Sequence, residues 1–137
     1  MLDRVVGYLL RRAQVAVFQD FFATFSKVHI RPAQFSVLVV IDRNPGLKQT
    51  QIADALGIKR TNFVSLVDEL ERRGLAERRA SERDRRSSAL YLTEAGRALV
   101  KKLRRMAEVH DRRVTAKIGP EGHKQLLALL REIADGR

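Results

Sequence analysis

Residues 49–96 read QTQIADALGIKRTNFVSLVDELERRGLAERRASERDRRSSALYLTEAG. Two short helical patterns stand back to back in this stretch. One covers about 49–56 and ends at Gly57, and the other covers about 60–73 and ends at Gly74. Glycine just past a helix supplies the left-handed residue that closes it. Only Gly57-Ile58-Lys59 separates the two, and so tight a glycine-containing turn predicts a helix-turn-helix unit. On the second helix Phe63, Leu66, Val67 and Leu70 recur at steps of three and four and form a core face. The period then shortens. Residues 75–79 and 88–92 read as strands, with Leu90 and Leu92 on one face and Tyr91 on the other. The polar stretch from Ala80 to Ser87 reads as the loop between them. A helix-turn-helix followed at once by a hairpin predicts a winged helix, a mainly helical fold with a small β-hairpin wing.

Upstream, Pro32 opens a helix over about 32–43, which Asn44-Pro45-Gly46 stops. Before it, Val5, Val6, Leu9, Leu10, Ala13, Val17, Phe21, Phe22 and Phe25 mark a helix over about 2–26. At ~1.5 Å per residue that helix approaches ~40 Å, too long to bury its whole stripe on one compact partner, which points to dimerisation. Downstream, Thr93 is placed to cap a helix over about 94–117. Gly119-Pro120 breaks it, and Pro120 opens a last helix over 120–134. The expected organisation is one domain over 1–137. Its winged-helix core, 31–93, is flanked by dimerisation helices in 1–30 and 94–137.

A length of 137 residues fits one domain. Lys and Arg number 27 against 16 Asp and Glu, a net charge of +11 that calls for a polyanionic partner, nucleic acid first. The absence of cysteine removes disulfides, thiolate zinc sites, cysteine nucleophiles and thiol redox sensing. No unbroken apolar run is longer than Val37 to Ile41, which falls far short of the ~20 residues that span a bilayer. The N-terminus lacks the pattern of a secretory signal. A cytoplasmic protein without membrane contact is therefore expected. Phosphate-binding glycine loops, G-x-S-x-G and H-E-x-x-H are all missing, so no enzyme and no cofactor are expected. His29, His110 and His123 are widely spaced, and no metal site is expected.

The side of the 60–73 helix away from the core face carries Arg60, Thr61, Asn62, Val64 and Ser65. Asn62 suits adenine, Arg60 suits guanine or a phosphate, and Val64 suits a thymine methyl. Residues 72–86 hold seven Arg, no Lys and three acids. Guanidinium groups match phosphate geometry, so this run is a candidate backbone or minor-groove contact rather than only a solvated loop.

From Gln49 through Gly96 the chain resembles the winged-helix core of the MarR family of bacterial transcription regulators. The resemblance is carried by the Leu56-Gly57-Ile58 turn, the run from Leu66-Val67-Asp68 to Gly74-Leu75, Asp84-Arg85-Arg86, and Leu92-Thr93 with Gly96. It implies a homodimer whose N-terminal and two C-terminal helices intertwine. It also implies a palindromic operator, with half-site centres ~10 bp apart, and a repressor released by a small anionic or aromatic ligand. In that frame 60–73 is the recognition helix and Arg86 enters the minor groove. Asp84 holds that arginine or a neighbour, and Arg83 and Arg85 add wing charge. Two positions depart from the pattern. Lys59 stands where Ser, Thr or Asp usually caps the recognition helix, weakening the cap by ~0.5–2 kcal/mol unless a bound phosphate fills in. Lys59 is therefore counted with the DNA contacts. Glu69 stands where Arg is usual, so a salt-bridge map cannot be borrowed from relatives.

The resemblance implies a ligand cleft between the dimerisation helices and the winged helix, with walls from the first, second and fifth helices. The resemblance thus assigns Arg11, Arg12, Phe18, Phe22 and Phe25 to an effector site for a small organic acid, a phenolic compound or its thioester. The same aromatics suit a core, and the same arginines suit interface salt bridges. Ligand-independent or architectural DNA binding, a protein-interaction module, and activation instead of repression stay open as alternatives.

Overall fold

The computed structural model describes residues 1–81 and 87–135. In chain order the elements are α1 (Val6–Phe25), α2 (Pro32–Arg43), α3 (Gln49–Leu56), α4 (Arg60–Arg72), β1 (Ala76–Ala80), β2 (Ser88–Leu92), α5 (Glu94–Val114) and α6 (Gly119–Ala134). Short 3-10 turns occupy Leu2–Arg4, Ser26–Val28 and Ala116–Ile118. The chain folds as two compact units. One comprises Met1–Thr24 and the chain from Met106, and the other comprises Phe25–Arg105.

The Phe25–Arg105 unit is the winged helix. Proline at the start of α2 costs no hydrogen bond there, and Arg31 N–H donates to Gln34 Oε1 at 2.9 Å across the first turn. The start of α3 repeats the device with Lys48 N–H on Gln51 Oε1 at 3.0 Å. Gly57 closes α3 at φ 67°, and Gly74 follows α4 at φ 70°. Both values lie in the left-handed region that a Cβ disfavours. The core forms where the predicted faces meet. Val37, Leu38, Ile41, Ile52, Phe63, Val67, Leu70, Leu90, Val100 and Leu103 are essentially inaccessible to solvent. Each such side chain contributes roughly 1.5–3 kcal/mol of burial. Leu66 is only half-buried, on the flank of this face.

β1 and β2 pair antiparallel from Ala76 opposite Leu92 to Ala80 opposite Ser88. The first strand starts one residue later than its sequence pattern suggests, because Leu75 is spent on the turn. Its N–H donates to Leu70 O at 3.0 Å and its carbonyl accepts Thr93 N–H at 3.1 Å. Residues 46–48 add a short third edge that the stop signal Asn44-Pro45-Gly46 does not reveal. Gly46 N–H donates to Leu90 O, Leu90 N–H donates to Leu47 O, and Lys48 bridges Ala89. Thr93 caps α5 as expected. Its Oγ1 accepts Gly96 N–H at 3.0 Å and donates to Gly74 O at 2.6 Å. Gly96 itself is dictated by space, since a Cβ there would lie 2.0 Å from the Leu75 carbonyl oxygen.

The other unit gathers α1, the end of α5, and α6. The helix expected over 2–26 begins only at Val6, after a 3-10 turn and an extended Val5. The helix expected to reach 117 ends at Val114. Asp20 on α1 joins it to α5. Asp20 Oδ1 lies 2.7 Å from His110 Nδ1, and Arg113 donates to both carboxylate oxygens at 2.7 Å. These donors, Arg113 foremost and His110 next, hold the Asp20 carboxyl well below the usual carboxylate range. Little else in this unit is covered. α6 has no buried residue, and Leu126, Leu127, Leu129 and Ile133 are exposed, as are Val6, Leu9, Leu10, Val15 and Phe22 on α1. No helix among the described residues is long and apolar enough to cross a membrane.

Candidate nucleic-acid interface

Burying Phe63, Val67 and Leu70 turns the opposite side of α4 outward. Lys59, Arg60, Thr61, Asn62, Val64 and Ser65 are all exposed, as their sequence positions require. Lys59 makes no side-chain cap. The start of α4 thus carries free backbone N–H groups and two cations, a locally positive surface. Arg60 does not hang free. It reaches back over the helix-turn-helix turn to Asp54, with Nη2 at 3.0 Å from Oδ2 and Nε at 3.5 Å from Oδ1. That carboxylate pushes the Arg60 pKa further up. Ser65 Oγ sits 3.5 Å from the Thr61 carbonyl.

Towards its C-terminal end the same face becomes acidic. Ser65, Asp68, Glu71 and Arg72 line an open hollow of about 510 Å³. The acids are met from the hairpin by Arg78, whose side chain is only 20% exposed. Arg78 donates to Asp68 Oδ1 at 2.7 Å, to Gln49 Oε1 at 3.1 Å and to the Val64 carbonyl at 3.1 Å, and it pairs with Glu71.

The arginine-rich run is therefore not one pool of free charge. Arg73 donates to the carbonyls of His29 and Val28 at 2.7 and 3.0 Å. Arg79 pairs with Glu77 and lies 4.2 Å over the Tyr91 ring. Arg78 and Arg73 are structural ties, which a charge count alone cannot distinguish from ligand contacts. The signal for Arg78 was nonetheless present, in two acids three residues apart on α4 followed by an arginine just past the turn. Arg83, Asp84, Arg85 and Arg86 lie outside the described residues.

On α5, Lys101, Lys102, Arg105 and Arg112 are exposed. Three other basic residues there are engaged within the protein: Arg97 with the Leu92 carbonyl, Arg104 with Asp42 at 2.9 Å, and Arg113 with Asp20.

The residues assigned to an effector site separate. Arg11, Phe18 and Phe22, with Gln14, Val15 and Gln19, line a shallow groove of about 280 Å³ along α1. The Phe18 and Phe22 rings meet edge to face at 6.3 Å. Arg12 turns away to lie over Tyr8. Phe25 is fully buried in the winged-helix core, 5.6 Å from the Phe35 ring. Of the histidines, His110 meets Asp20, and His123 Nε2 lies 2.9 Å from Asp111. Among the described residues no three His, Asp or Glu side chains gather as metal ligands.

Comparison with known proteins agrees with this architecture. Residues 30–87 match the model of the MarR family. The chain is 31% identical over 129 residues to a protein assigned to transcriptional regulation of the hcr operon in Thauera aromatica, covering 93% of this chain and 78% of that one. It is 46% identical to the transcriptional repressor CouR bound to a 23-mer DNA duplex, with a TM-score of 0.93 over 97% of this chain and 94% of the other. It is 42% identical to CouR bound to p-coumaroyl-CoA, with a TM-score of 0.90 over 99% and 96%. The hairpin directly after the helix-turn-helix, the outward face of α4 and these matches agree, and the chain belongs to the MarR family of winged-helix transcriptional regulators.

Proposed function

We propose that this protein is a homodimeric, sequence-specific repressor that holds a palindromic operator and leaves it when a small aromatic acid or its coenzyme A thioester binds. The observation that carries the reading is the solvent-facing row Lys59, Arg60, Thr61, Asn62, Val64 and Ser65 on α4, in a chain 46% identical to a repressor solved on duplex DNA. In this reading Arg60, Thr61, Asn62 and Ser65 read a major groove, Val64 meets a thymine methyl, and a phosphate supplies the acceptor that Lys59 cannot. The wing tip, Arg83 to Arg86, holds the flanking minor groove or backbone. Acting on DNA of the cell that makes it, the protein works in the cytoplasm.

Two further observations support the rest. An α6 helix with no buried residue, and exposed Leu9, Leu10, Val15 and Phe22 on α1, leave apolar surface that a second copy would cover. Two-fold symmetry then makes the operator an inverted repeat with half-site centres ~10 bp apart. The α1 groove offers aromatic walls at Phe18 and Phe22 and a cation at Arg11, suited to a phenolic ring with an attached anion. CouR, 42% identical, is solved with p-coumaroyl-CoA. Release requires that the ligand bind better to a spacing of the two recognition helices that the operator does not accept.

The test is selection of bound fragments from random duplex DNA, repeated with p-coumaroyl-CoA present, with the stoichiometry of the complex measured by analytical ultracentrifugation. One inverted repeat bound by two chains, lost on adding the thioester, is the expected result. Binding to all duplexes alike would make the protein architectural. Failure to bind DNA would shift the winged helix to a protein partner.

A further inference from the structure

Arg60 and Asp54 form an ion pair that helix stability does not call for. Arg60 is the first residue of α4, where the helix dipole disfavours a cation, and Lys59 stands beside it. Both partners are largely exposed, at 65% for Arg60 and 61% for Asp54, and exposed pairs add little to folding. The backbone nevertheless holds them together. Gly57 at φ 67°, with Ile58 N–H on the Ala53 carbonyl at 2.9 Å, folds the end of α3 back against the start of α4. The carboxylate meets one edge of the guanidinium, the Nε and Nη2 side. A guanidinium has five N–H donors in a rigid fork. Engaging that edge leaves the end-on pair, one hydrogen each on Nη1 and Nη2, outside the ion pair on a side chain that is largely exposed. Such a pair of parallel donors matches the O6 and N7 acceptors of guanine.

We propose that Asp54 is a specificity-determining positioning residue, which holds the Arg60 guanidinium so that its free edge reads a guanine in each half-site. This rests on the DNA-binding reading above. Without Asp54, the flexible Arg60 side chain is free to settle on any nearby phosphate, and a negative charge that discourages non-specific contact is gone. Asp54 thus trades affinity for discrimination.

The experiment measures binding of the full chain to the selected operator, to every single-base variant of one half-site, and to random duplex, by fluorescence anisotropy. The proteins are wild type, Asp54→Ala, Asp54→Asn, Arg60→Ala and the Asp54→Ala/Arg60→Ala double variant, each with its thermal midpoint recorded. The preference for guanine at one position is expected to fall about tenfold in Asp54→Ala, with random-duplex affinity equal or higher. Asp54→Asn, which keeps an acceptor oxygen, is expected to fall between, and to serve as the readout should the alanine variant be less stable. In the double variant the Asp54 effect is expected to vanish, because it acts through Arg60. Unchanged base preference in Asp54→Ala overturns the proposal. So does an equal loss on operator and random duplex, or an effect that persists without Arg60. A wild type that prefers no sequence would instead sink the regulator reading on which the proposal stands.

Discussion

The Arg78 guanidinium lies 2.7 Å from the Asp68 carboxylate, joining the first strand of the hairpin to the helix that presents the candidate base readers. The same guanidinium spans Gln49 on α3, Glu71 on α4 and the Val64 carbonyl. One side chain thereby ties the hairpin to both α3 and α4. Arg78→Ala leaves Asp68 and Glu71 without their cation, and should cost about 2 kcal/mol. Arg78→Lys should recover only part of this, since an ammonium cannot reproduce the planar fork. Urea unfolding of the three proteins checks the order wild type, lysine, alanine.

Gly96→Ala should be more damaging than a single methyl suggests. The added Cβ meets the Leu75 carbonyl oxygen at 2.0 Å, and that carbonyl already accepts the Thr93 N–H. Backbone must move, at ~1–3 kcal/mol or more. A thermal midpoint within a degree of wild type would show that the α5 start accommodates the methyl.

Phe63 and Val64 are neighbours that face opposite ways. Phe63 is 1% exposed and Val64 38%. Phe63→Ala should cost ~3–5 kcal/mol of stability. Val64→Ala should stay within about 0.5 kcal/mol and act instead on DNA affinity. Unfolding and binding measured on the same samples separate the two.

Acid stability should depend on Asp20. Its carboxyl is held below the ordinary range by Arg113 and His110. The depressed folded value means that Asp20 stabilises fully above an unfolded carboxyl's pKa of about 4, and that this contribution fades as the pH falls from there toward the folded value. Asp20→Asn should therefore be less stable than wild type at pH 7, with the gap narrowing as the pH drops below 4. Equal gaps at pH 7 and pH 3 would contradict the linkage.

If the wing acts on the minor groove as proposed, Arg86→Ala should weaken operator binding at least ~10-fold and leave the oligomeric state unchanged. Asn62→Ala should cost ~1–3 kcal/mol and relax preference at one base position. If Asn62→Ala weakens all sequences equally, Asn62 contacts only phosphate.

The helix-turn-helix, the hairpin that follows it and the outward row on α4 can all be read from the order of residues. Each signal there acts over a few residues: glycines at positive φ after α3 and α4, proline at the first turn of α2, and apolar steps of three or four. Those same steps placed Phe63, Val67 and Leu70 inward and so turned Arg60, Asn62 and Ser65 out. Which arginines are already engaged depends on the packing of distant segments. Arg73, Arg78 and Arg79 look alike in the chain, yet one holds the Val28 and His29 carbonyls, one clamps α4 and one lies over Tyr91. That packing also separates Phe25, buried against Phe35, from Phe18 and Phe22 on the α1 groove. The difference is one of reach. Helix periods and turn residues are local, whereas an arginine's partner is chosen by packing that brings residues such as Gln49 and Arg78, 29 positions apart, within 3.1 Å.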